Sequence, residues 1–108
     1  MLILPDQGTP VGIRDALKGH IVKTAYQQGW STLLNGELLR AAEEAGFDVL
    51  VTTDKNLVYQ QNLSDRKIAI VVLGRNRWSL IRLALPQIVS AVNTAKRGTY
   101  ALVQIPER

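Results

Sequence analysis

Asp6, Glu37 and Asp54 are the residues of this chain whose types and spacing suit chemistry. Asp54 stands just past the β-branched run 49–53 inside GFDVLVTTDKNL, residues 46–57. Asp6 directly follows the apolar run 2–5, and Glu37 falls in the first turn of a helical segment that Asn35 opens. Carboxylates brought together repel one another, and burial raises their pKa values unless positive charge sits among them. A magnesium or manganese ion supplies that charge, polarises a phosphodiester and generates a nucleophile from water. The basic loop with Arg75, Arg77 and Arg82 could hold a phosphate backbone, with Trp78 free to stack on a base and Lys55 beside Asp54 adding a cation. The chemistry these residues suit is metal-dependent cleavage of RNA or DNA. An aspartate at position 54 also serves as an ordinary cap of the helix that follows.

Composition narrows the other possibilities. Zero cysteines exclude disulfide frameworks, thiolate zinc sites and cysteine nucleophiles, and a single histidine, His20, removes multi-histidine metal sites. Any metal is therefore a hard cation held by oxygen. His20 reads as a structural residue of its connection. At 108 residues, 46% hydrophobic and 20% charged, the chain has room for one domain and one core. The formal net charge of +4 is compatible with a nucleic-acid partner without demanding one. The start MLILPDQG lacks a basic stretch and a long apolar run, and no later segment approaches spanning length. A cytoplasmic protein without membrane association is expected.

The elements that must position these residues follow from periodicity. Strands are expected over residues 2–5, 21–26, 49–53, 67–73 and 100–105, the third and fourth without polar alternation and so covered on both faces. Helices are expected from Pro10 to about Leu17, over 35–45, over 56–62, and over 79–96 with a kink or break near Leu85 caused by Pro86. Residues 27–34 read as a loop in which Trp30 either anchors to the core or stacks on a base. Alternation of strand and helix predicts an α/β fold, a single small parallel-sheet domain over residues 1–108 with helices on both faces. Right-handed crossovers then bring the carboxyl ends of the strands to one edge, gathering Asp6, Asp54 and the 75–78 loop, with Glu37 near if its helix begins there.

The run NGELLRAAEEAGFDVLVTTDKNLVYQQNL, set between a first strand ending in Asp6 and the strand KIAIVVL, resembles the short PIN-like proteins akin to VapC-type toxins. The resemblance spans nearly the whole chain and is most specific over residues 35–63. It implies a small parallel α/β sheet and a magnesium-dependent ribonuclease, the toxin of a pair neutralised by a small antitoxin protein. Asp6 matches the acid of a stretch like D-E-N-x-P, here DQGTP, and Asp54 the acid of the T-x-D motif. Glu37 lies in the helix start that often reads D-E-E-I-L, here NGELL. Asn35, Asn56 and Gln7 stand where acids are common, which lowers the negative charge offered to a cation. Asn35 and Asn56 still bring oxygen to a metal set of Asp6, Glu37, Asp54, Asn35 and Asn56. The alternative is a catalytically weakened PIN-like domain that binds nucleic acid or a protein. The apolar stripe Ile81 to Ala95 of the 79–96 helix reads first as core, with a homodimer through it as a further partner reading. A phosphoacceptor of the response-regulator receiver kind would need an acidic pair after the first strand and a lysine after the fifth. Here Asp6 stands alone and the last strand runs into Gln104-Ile105-Pro106.

Overall fold

A computed structural model describes residues 1–33, 35–57 and 65–106. Five strands, β1 (Leu2–Pro5), β2 (Ile21–Val22), β3 (Val49–Thr52), β4 (Ala69–Leu73) and β5 (Tyr100–Val103), pair parallel throughout. Their order across the sheet is β2-β1-β3-β4-β5. Register sets Ile3 against Val49 and Leu50 against Ile70, so apolar side chains stack in rows across neighbouring strands.

Period-two alternation divides the interior into two cores. Ile3, Val49, Val51, Ala69, Val71 and Leu73 face one way, and Leu4, Leu50, Ile70 and Val72 the other. The first face is covered by α1 (Ile13–Ala16), α3 (Trp78–Ile81) and α4 (Leu85–Asn93) through Ile13, Ile81, Ile88 and Val92. The second is covered by α2 (Asn35–Glu44) through Leu38, Leu39 and Ala42. Each fully buried Leu, Ile or Val stabilises the fold by roughly 1.5–3 kcal/mol relative to exposure. Both β3 and β4 are buried along their whole length, as their lack of polar alternation requires.

Several boundaries differ from the sequence reading for physical reasons. Pro86 lacks the N–H an uninterrupted helix needs, so the chain passes from α3 through a 3-10 turn (Arg82–Ala84) and starts α4 with the proline in its first turn. The break thus falls immediately before Leu85, near where it is expected. Strand β2 ends at Val22 and not at Tyr26, because residues 25–29 form a separate turn. The first helix is shorter than expected, with Pro10 outside it. From residue 58 onward the expected 56–62 helix lies outside the described residues.

The crossovers do not all share one hand. Passing from β1 to β2 and from β4 to β5, the chain moves across the sheet in opposite directions, yet α1 and α4 lie on the same face and touch. These two crossovers are therefore of opposite hand, against the expectation that all are right-handed. The parallel pairing still places the carboxyl ends of the five strands on one edge. Among the described residues no helix is long and apolar enough to cross a membrane.

Candidate functional site

In this strand order the chain steps from β1 to β2 on one side and resumes at β3 on the other, so the direction of winding reverses between β1 and β3. The crevice beyond the carboxyl ends at such a reversal is where open α/β sheets bind ligands. Asp6 leaves β1 and Thr52-Thr53-Asp54 leaves β3 at that point, and the Asp6 N–H donates to the Val51 carbonyl at 2.9 Å.

Two buried threonines fix the Asp6 carboxylate. Thr9 Oγ1 donates to Asp6 Oδ1 at 2.8 Å, sharing its single proton with the Val51 carbonyl at 3.1 Å. The buried Thr52 Oγ1 donates to Asp6 Oδ2 and accepts the Asp54 N–H at 3.0 Å. One hydroxyl thus links the Asp6 carboxylate to the Asp54 backbone. Asp54 Oδ1 in turn accepts the Asn56 N–H at 3.0 Å, closing a local turn. Gly8 lets the Thr53 hydroxyl close on this group, since a Cβ there would stand 3.0 Å from Thr53 Oγ1 and 3.7 Å from Asp6 Oδ1.

The other candidates take distinct positions. Glu37 is exposed in the first turn of α2, whose N-terminal end lies toward the carboxyl edge because it follows β2 and precedes β3. Asn35 opens α2, and its side chain lies outside the described residues. Asn56 and Lys55 are exposed directly after Asp54. Arg75 and Arg77 line a concavity of about 510 Å³ beyond β4 with Asn76, Ser79 and Leu80. The Trp78 ring lies against Gly12, where a Cβ would come within 2.7 Å of its benzo edge, so one edge of this partly exposed indole is taken up by packing. Trp30 meets Phe47 edge-on at 5.9 Å and anchors its loop to the second core. His20 Nε2 bonds Asn93 Oδ1 at 2.7 Å, tying the α1–β2 connection to the end of α4 as a structural residue.

Sequence reasoning passed over Thr9, Thr52, Arg14 and Tyr26. A cavity of about 450 Å³ opens beside Asp6 and is lined by Gln7, Thr9, Val11, Arg14, Tyr26 and Gln27 among others. The signal for Tyr26 was the T-x-x-Q spacing of Thr24 and Gln27 followed by Gly29, a capped helical turn written into what reads as strand.

Asp6 and Asp54 offer hard oxygen donors only, the right class for magnesium or manganese. Asp6 has used two of its roughly four lone-pair positions on the threonines, which leaves room for a cation. Among the described residues no group of three or more His, Cys, Asp or Glu side chains is assembled to hold a metal ion. What the fold brings together is the Asp6 and Asp54 pair with its threonines. Comparison with protein-family models, with curated proteins and with solved structures finds no match to this chain.

Proposed function

We propose that this chain is a metal-dependent ribonuclease of PIN-like type, with Asp6 and Asp54 as the residues that hold magnesium or manganese. The observation that carries this reading is the Thr52 hydroxyl, which donates to the Asp6 carboxylate and accepts the Asp54 backbone N–H at the point where the winding reverses. A bound divalent cation supplies the charge neutralisation and water activation that phosphodiester hydrolysis requires. The chain's own part is positional. Thr9 and Thr52 hold the Asp6 oxygens in one orientation, and the Asn56 N–H holds Asp54. Glu37 joins from α2, and Lys55, Arg75 and Arg77 steer the phosphate backbone to the edge. The resemblance to VapC-type proteins adds the role of a cytoplasmic toxin paired with a small antitoxin protein.

Asp54→Asn keeps an oxygen for the Asn56 N–H and removes the charge. It is expected to abolish manganese-stimulated cleavage of single-stranded RNA while leaving the thermal midpoint unchanged. Cleavage that survives the substitution rejects this reading.

A second reading, a weakened PIN-like domain that binds nucleic acid or protein, draws on the exposed Glu37 and on Asn56 where an acid is common. Calorimetry separates the two. Heat of manganese binding at millimolar concentration supports the nuclease, and its absence supports the binding module.

A further inference from the structure

Tyr26 and Val11 are the two most exposed large apolar side chains among the described residues, at 77% and 72%, and both line the cavity beside Asp6. Exposed aromatics scattered singly need no explanation, but two such apolar side chains lining one cavity offer a flat ligand apolar surface to cover. The turn that carries Tyr26 is built to hold it out. The Thr24 N–H donates to Gln27 Oε1 at 2.9 Å, and the Gln27 N–H donates to Thr24 Oγ1 at 3.1 Å, a reciprocal cap on a single helical turn. Gly29, at φ +78°, closes the other end as the Trp30 N–H reaches the Ala25 carbonyl at 2.8 Å and the Gly29 N–H the Tyr26 carbonyl at 3.0 Å. Buried Ala25 and partly buried Trp30, the latter set against Phe47, fasten this turn to the body of the protein. Tyr26 is thus presented to solvent on a rigid mount.

Further lining comes from α1 and the loop before it. Val11 gives it an apolar surface, and Arg14 adds a guanidinium to the same lining. A volume of about 450 Å³ is the size of a small-ligand site and too small for a folded partner. An apolar slot with an aromatic wall, a cation at its rim and carboxylate chemistry alongside matches one unpaired nucleotide. Its base would stack, and its phosphate would meet Arg14.

We infer that the cavity beside Asp6 lined by Tyr26, Val11 and Arg14 is a subsite for one unpaired nucleotide of single-stranded RNA, with Tyr26 as the stacking platform and Arg14 as the phosphate ligand. The inference deepens the nuclease reading and rests on it for the choice of RNA. It also moves the stacking role from Trp78, one edge of which is packed on Gly12, to a tyrosine that lines the cavity beside Asp6.

The test is equilibrium binding of a fluorescein-labelled uridine octamer to the full chain, read by anisotropy in EDTA so that cleavage does not intervene. Tyr26→Ala is expected to weaken binding roughly 5- to 100-fold, and Tyr26→Phe to stay within about twofold of the parent chain. Arg14→Gln is expected to weaken it too and to reduce the slope of log K against log salt by about 0.7. Thermal midpoints should match, because neither side chain is buried. Failure of the parent chain to bind the octamer, unchanged binding by Tyr26→Ala, or a loss found with Trp78→Ala but not with Tyr26→Ala each overturns the subsite. An equal dependence on Tyr26 with a duplex of the same length also overturns it, since paired bases offer no open face. Tyr26-dependent binding in a chain that proves unable to cleave upholds the subsite while the nuclease reading falls.

Discussion

Thr52 shows how much a single hydroxyl contributes at this site. It is 1% exposed, and its oxygen both donates to Asp6 and accepts from the Asp54 backbone. Valine has the same branched shape without the donor. In Thr52→Val the strand should persist, while Asp6 loses one of the two bonds that fix its rotamer. Groups that orient metal-binding side chains typically change affinity by 10- to 100-fold. Manganese binding by calorimetry is therefore expected to weaken at least roughly tenfold in Thr52→Val. Affinity equal to that of the parent chain would show that Asp6 is held well enough by Thr9 alone. Asp6 and Asp54 were legible in the sequence because each follows an apolar run directly. The threonines were not, because a threonine in a β-branched run reads first as a strand former.

At the scale of elements, the short helices are seated by contacts their own sequences do not announce. Helix α3 has only four residues, so propensity contributes little and packing must hold it. The Trp78 ring reaches across to the loop before α1 and rests on the backbone at Gly12, which is possible only without a side chain there. Gly12→Ala would place a methyl within 2.7 Å of the indole, and overpacking of this kind costs about 1–3 kcal/mol. Denaturant unfolding should show that loss, and adding Trp78→Phe should recover most of it, since the smaller ring vacates the contact. An unchanged midpoint in the single variant would mean that the ring swings aside freely, as its partial exposure would then permit. Pro86 was legible as a helix break because its missing N–H acts locally. The turn carrying Tyr26 was misread as strand because the β-branched residues before it carry the same pattern into Thr24.

For the whole molecule, one ionic clip sits at the sheet edge opposite the site. Glu43, at the end of α2, accepts the Lys67 N–H ahead of β4 and pairs with Arg66 at 3.2 Å. The Lys67 backbone bond, helped by the Arg66 side chain and opposed by desolvation, holds the Glu43 carboxyl below its ordinary value of 4.5. A group lowered in the folded state contributes stability above its unfolded value and loses it as pH falls through the folded one. Glu43→Gln should therefore lower the unfolding free energy by about 1 kcal/mol near neutral pH, with the gap to the parent chain closing in acid. A gap independent of pH would remove charge from the explanation. The sequence by itself determined an α/β chain with two fully buried strands, the helix break at Pro86, and two acids placed one and two residues beyond a strand. Those features are local, set by side-chain period and by backbone groups that a residue either has or lacks. Only the tertiary structure decided the order β2-β1-β3-β4-β5, the opposite hand of one crossover, the joining of Asp6 to Asp54 through Thr52, and the cleft beneath Tyr26. Each of these depends on which distant segments pack side by side, and that is settled by filling two cores at once across the sheet.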